Sequence, residues 1–139
     1  MNLTGQWKGI ITFGPEYGDW EDKELYFSMD LRQTGLIIEG TAVDTGGVGC
    51  NPDIADIKGF VDGDSISFRK QYRSTVTEDE NGIEIVEKGK PSPEVEYIGT
   101  IDRSFDKIEG EWQINVAVQK LKDAWLDETW TGQWEMSRT

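Results

Sequence analysis

The chain contains no histidine. Without an imidazole it has no His-dependent general base, no Ser-His-Asp or Cys-His nucleophile, and no His ligand for haem or zinc. Its single cysteine, Cys50, can build neither an internal disulfide nor a cysteine-rich metal cage. Basic residues are scarce: 14 Lys and Arg stand against 27 Asp and Glu, a net charge of −13. Phosphate backbones and anionic lipid repel such a chain, which sets nucleic acid and membranes aside as partners. No apolar run approaches the ~20 residues that a helix needs to cross a bilayer. The chain opens on Met1-Asn2-Leu3-Thr4-Gly5-Gln6-Trp7, with no basic segment leading into an apolar one. Together with the lone thiol, that opening predicts a cytoplasmic protein.

What is present points to a small β-protein. Apolar residues make up only 36% of the 139, but six Trp, five Phe and four Tyr are among them. Each large ring buries ~150–250 Å², so a few can build a core in a chain short of aliphatics. Period-two alternation dominates. Over 24–33 the residues Leu25, Phe27, Met29 and Leu31 share one face, and Tyr26, Ser28, Asp30 and Arg32 the other. Gly35 turns this strand into a second over 36–44, and Asp62-Gly63-Asp64 joins a strand at 56–62 to one at 65–75. Further strands are predicted over 5–13, 94–102, 107–118 and 124–137, with a weaker one near 82–88. Residues 119–128 fit either a turn of helix or a hairpin connection.

A repeat runs through these strands. The pattern apolar-x-Gly-x-apolar occurs around Gly5, Gly40, Gly59, Gly99, Gly110 and Gly132, and the last residue is Trp at Trp7, Trp112 and Trp134. Glycine weakens a strand interior, so its repeated use implies sharp coiling or close approach of a neighbouring backbone or ring. A single all-β domain spanning 1–139 is therefore expected, an antiparallel up-and-down meander of about eight to ten strands closed into a barrel. A two-sheet sandwich shares the alternation but leaves edge strands to protect.

Leu3-Thr4-Gly5-Gln6-Trp7 at the start and Thr131-Gly132-Gln133-Trp134 near the end resemble the calycin type of barrel: lipocalins, fatty-acid-binding proteins and avidins. The resemblance implies a barrel with a central lumen. It does not extend to biotin, because Gly9 stands where avidins place a biotin-contacting Asn, and only Trp125 lies near their late Trp-bearing loop. Haem-binding relatives use an axial His, which is missing here, so no cofactor is expected.

The inward phase is nearly all apolar. It runs through Trp7, Ile11, Leu25, Leu36, Ile38, Val116, Leu126 and Trp130, with Lys70, Tyr72, Tyr97 and Glu128 as its polar members. Three outcomes are open for Lys70. It can reach solvent at the rim, pair with Glu128, or anchor the anionic head of a ligand together with the Tyr72 and Tyr97 hydroxyls. In the last case the ligand's tail lies among Phe27, Met29 and Trp112. Tyr17 and Trp20, in the long first loop, can close the mouth as a lid or contact a partner. Cys50 sits in a Gly-rich loop with no helix after it, so that loop is no phosphate cradle. The acidic stretch 78–82 lacks the spaced ligands of a calcium loop, and no metal is expected.

The leading expectation is non-catalytic binding of a small, largely apolar ligand, neutral or anionic, in the lumen. The alternatives are an interaction module with a filled lumen that uses the first loop, and a His-independent hydrolase or isomerase. The last needs two carboxylates ~5–9.5 Å apart in a cleft, and nothing in the sequence singles out a pair. Outward Ile10, Ile37, Val43, Phe60 and Ile98 offer a surface for a homodimer.

Overall fold

A computed structural model describes residues 2–121 and 124–139, with side chains throughout except at Glu78, 116–121 and 124–127. Ten strands follow one another: β1 (Gly5–Phe13), β2 (Glu24–Thr34), β3 (Ile37–Gly47), β4 (Ala55–Asp62) and β5 (Ser65–Tyr72). After these come β6 (Ser74–Glu78), β7 (Glu84–Lys88), β8 (Val95–Asp102), β9 (Lys107–Leu121) and β10 (Ala124–Arg138). Eight close into an antiparallel barrel in the order β1-β10-β9-β8-β5-β4-β3-β2, and β6 and β7 form a separate two-stranded sheet. Closure leaves the barrel without an edge, which disposes of the sandwich. Among the described residues no helix is long and apolar enough to cross a membrane.

Glycine and tryptophan close the sheet together. Across β9 and β10, Gly132 stands opposite Trp112 and Gly110 opposite Trp134. A Cβ on Gly132 would lie 2.1 Å from the Thr12 carbonyl oxygen and 2.5 Å from the Trp112 ring; one on Gly110 would lie 1.9 Å from the Ile98 oxygen. Only hydrogen fits in that space. The Trp112 indole N–H reaches the Thr12 and Gln133 carbonyls at 3.1 Å, and that of Trp134 reaches Ile98 and Glu111 at the same distance. The Trp112 ring thus fills the room Gly132 leaves, the Trp134 ring lies against Gly99, where a Cβ would come within 2.8 Å of it, and the one polar atom of each ring is satisfied.

The strand expected over 65–75 breaks at Arg73. Its N–H bonds the Ile54 carbonyl at 3.0 Å, and its guanidinium grips Asp56. Ser92 caps the end of β5, taking the Tyr72 N–H on its hydroxyl and the Gln71 amide on its carbonyl. The chain then leaves the barrel as the β6–β7 hairpin and returns at β8. Residues 119–128 join β9 to β10 and contain no helix among those described. The side chains of Val116, Trp125 and Leu126 lie outside the described residues.

Among the described residues, two expected inside are outside. Leu36 follows Gly35 (φ +62°) in the β2–β3 turn, where it is 65% exposed. Glu128 is exposed and accepts a hydrogen bond from the Trp130 indole. On the outer face Ile37 stands opposite Phe60, Phe60 opposite Ser67, and Ser67 opposite Ile98. The three apolar members of that row are exposed.

Candidate functional site

The two ends of the barrel differ. At one, Leu3, Trp7, Leu31, Ile38, Ile108 and Met136 are buried almost completely. Arg138 lies 4.6 Å over the Trp7 ring and donates to the Thr4 and Asn2 carbonyls, while the Trp7 indole donates to that of Leu3. This end is sealed. The other holds a cavity of about 470 Å³, walled by Phe13, Tyr17, Lys70, Tyr72, Tyr97 and Trp112 among others. Its rim includes Gly49, Cys50 and Asn51 from the loop after β3, Thr75 to Thr77 of β6, and Ser92 and Pro93 ahead of β8.

Lys70 is the anomaly in this wall. On β5 the inward phase passes through Ile66, Phe68 and Lys70, so the same alternation that buries the first two buries the lysine at 3% exposure. Neither solvent at the rim nor Glu128 receives it. Its Nζ sits 5.0 Å from the Tyr72 ring centre, 5.1 Å from that of Tyr97 and 5.8 Å from that of Phe27. Among the described residues it has no hydrogen-bond acceptor and no ion-pair partner, yet it keeps contact with the open space of the cavity. Burial pulls its pKa down from 10.5 to about 8, and the charge of Asp44 offsets part of that fall.

Asp44 escaped the sequence reading, although its position was legible. It continues the inward phase of β3 from Ile38 and Ala42. Its carboxylate accepts the Tyr72 hydroxyl at 2.7 and 2.9 Å and the Asn51 N–H at 2.8 Å. Asn51 is itself held by donating to the Ser74 carbonyl at 3.0 Å. Burial and this carboxylate push the Tyr72 pKa up, so its phenol stays protonated and its proton is committed to Asp44. Tyr72 therefore offers a visitor its ring and its lone pairs, but no proton.

Tyr97 is free to donate. It is 2% exposed, stacks on Phe68 with centroids 4.8 Å apart and meets Trp134 edge-on. Its hydroxyl has no described partner, and burial followed by Asp44 and Tyr17 holds its pKa well above the usual phenol value.

The first loop folds over this end. In its 3-10 segment, Pro15–Trp20, Tyr17 packs at 4.8 Å from both Phe13 and Trp130 and at 5.7 Å from Trp112. Trp20 sits 5.5 Å from Phe13 and covers Gly49, where a Cβ would come within 2.9 Å of its ring. Tyr17 is half-buried, and burial beside Glu16 raises its pKa to about 12. The structure thus gathers Lys70, Tyr72, Tyr97, Trp112, Tyr17 and Trp20 around one space. Phe27 and Met29 are not on its wall: Phe27 faces Lys70 from below, and Met29 pairs with Trp7 and Ala42 in the filled half.

The other features of the loops are structural. Asp79 accepts the N–H groups of Asn81 and Ile83, which shapes the tip of the β6–β7 hairpin. Cys50 is an exposed free thiol directed at the Gly47 carbonyl. Comparison of the chain with known protein families, curated proteins and solved structures finds no match.

Proposed function

We propose that this protein is a non-catalytic binder of one small, largely apolar, anionic ligand, held in the open half of the barrel. The observation that carries the reading is the Lys70 ammonium, which is buried without a counter-charge in hydrogen-bonding contact and faces an aromatic cavity. An isolated buried charge is costly, and an anion seated against it removes that cost. Tyr97 donates a second hydrogen bond to the same head group. Phe13, Tyr17 and Trp112 flank the apolar body of the ligand, an arrangement typical of small-molecule sites of ~300–1,000 Å³. The likeness of the opening and closing Gly-x-Trp segments to calycins agrees with a ligand seated along the barrel axis, and the exposed thiol agrees with a reducing compartment.

The open half of the lumen and the inward packing of Tyr17 favour this reading over an interaction module with a filled barrel. The probe that tests it is anilinonaphthalene sulfonate, an apolar anion whose fluorescence rises in a dry site. Wild type is expected to bind one equivalent. Lys70→Met is expected to bind about 10–100-fold more weakly, since a hydrogen bond to a charged group is worth ~1.5–3 kcal/mol. Binding that is equally tight in the variant overturns the role of Lys70. No binding to the wild type overturns the site.

A further inference from the structure

We infer that Lys70 also acts as a nucleophile, capturing small apolar aldehydes as an imine inside the cavity, an inference that rests on the ligand-binding reading of the same site. The geometry supplies what such a step requires. The amine is buried, free of any described hydrogen-bond partner, and in contact with the cavity that an aldehyde would enter. The rings of Tyr72, Tyr97 and Phe27 surround Nζ at 5.0–5.8 Å, so they stabilise the cation of a protonated imine as they do the ammonium. Asp44, fixed by Tyr72 and Asn51, supplies the nearby negative charge. No other described ionisable group contributes to the charge balance at Lys70.

A neutral amine is needed, and here it is populated. With a pKa of about 8, about a tenth of Lys70 is neutral at pH 7, against about four in ten thousand for an exposed lysine near 10.4. The step balances without a redox partner. The amine lone pair attacks the carbonyl carbon and the C=O pair moves to oxygen. One proton passes from nitrogen to that oxygen to give the carbinolamine; the nitrogen's second proton then reaches the hydroxyl as the C–O bond breaks, so water leaves as C=N forms. The products are one imine and one water. The Tyr97 phenol, which has no described partner, is the group free to relay that second proton, giving its own to the departing oxygen as it takes the nitrogen's.

The test uses cinnamaldehyde as probe and cyanoborohydride as trap at pH 7, with labelled lysines mapped by peptide mass spectrometry. Lys70 is expected to carry at least ~10-fold more label than exposed Lys8, Lys23, Lys58 or Lys88, discounting the neutral-fraction ratio for access. Anilinonaphthalene sulfonate should compete with that label. In Lys70→Arg the amine nucleophile is lost, so the label at position 70 should disappear. Wild type that binds sulfonate but labels Lys70 no faster than the exposed lysines overturns the inference and leaves the binding reading standing. Loss of both signals overturns the two together.

Discussion

Replacing Lys70 by Met leaves a side chain of similar reach and removes the charge, and its effect on stability should depend on pH. The folded pKa of Lys70 is about 8 against 10.5 for the free side chain. Between those values the unfolded chain binds more protons than the folded one, so the Lys70 contribution to stability rises with pH across that window. Below pH 8 the whole deficit is present, and at ~1.4 kcal/mol per pH unit it amounts to about 3 kcal/mol. About three quarters of it should be recovered by pH 10. Above that, Tyr17, Tyr72 and Tyr97 interfere with the opposite sign: their folded pKa values are raised, so the unfolded chain loses phenol protons first and stability falls. The comparison therefore belongs at pH 7 and pH 10. Urea unfolding followed by tryptophan fluorescence, on protein refolded to remove bound ligand, should show Lys70→Met more stable than wild type at pH 7. The margin should shrink by about 2 kcal/mol at pH 10. An unchanged margin would mean that Lys70 is not buried as a charge, and the argument from its isolation would fail.

Four other substitutions probe the scaffold and the site. Gly132→Ala sets a methyl against the Thr12 carbonyl, which cannot retreat without opening the β1–β10 pairing, and should cost at least ~2 kcal/mol in urea unfolding. Gly63→Ala, in a turn with φ +60° and open space around it, should cost only about 1 kcal/mol, and equal losses at the two positions would refute the close-approach account. Arg138→Ala removes the cover from Trp7 and two hydrogen bonds at the sealed end. A loss of ~1–2 kcal/mol with sulfonate affinity unchanged is expected, and a change in affinity would show that the two ends are coupled. Asp44→Asn withdraws the charge that supports the Lys70 ammonium, so the pH at which sulfonate binding is half lost should move below that of wild type. An unmoved or higher midpoint would sever the Asp44–Lys70 link.

The barrel was legible because its two determinants are local. Alternation sets which face each strand buries, and the Gly-x-Trp repeats mark where backbones approach. Both survive tertiary packing: Trp7, Phe27, Ile57, Phe68 and Trp134 are all inside. Leu36 failed because the turn at Gly35 interrupts the phase, and a turn residue points where the turn sends it. The departure of β6 from the barrel is a long-range matter. It depends on Ser92, distant in sequence, taking the Tyr72 N–H on its hydroxyl and donating its own N–H to the Tyr72 carbonyl, while Asp56 holds the Arg73 side chain. For the site, the alternation put Lys70 inward, but the choice among its three outcomes turned on barrel length, which periodicity does not encode. Asp44 could have been found by carrying the β3 phase two residues further. That Tyr72 is tied to Asp44 and Tyr97 is not depends on distances across the lumen, and no pattern within a strand reports these.

A crystal structure with iodobenzoate, recorded for the anomalous signal of iodine, tests the central claim most directly. The iodine peak should lie between Phe13, Tyr17 and Trp112, with the carboxylate in hydrogen-bonding contact with Lys70 Nζ and the Tyr97 hydroxyl. A carboxylate turned out to solvent, or iodine found only on the outer surface of the barrel, would contradict it.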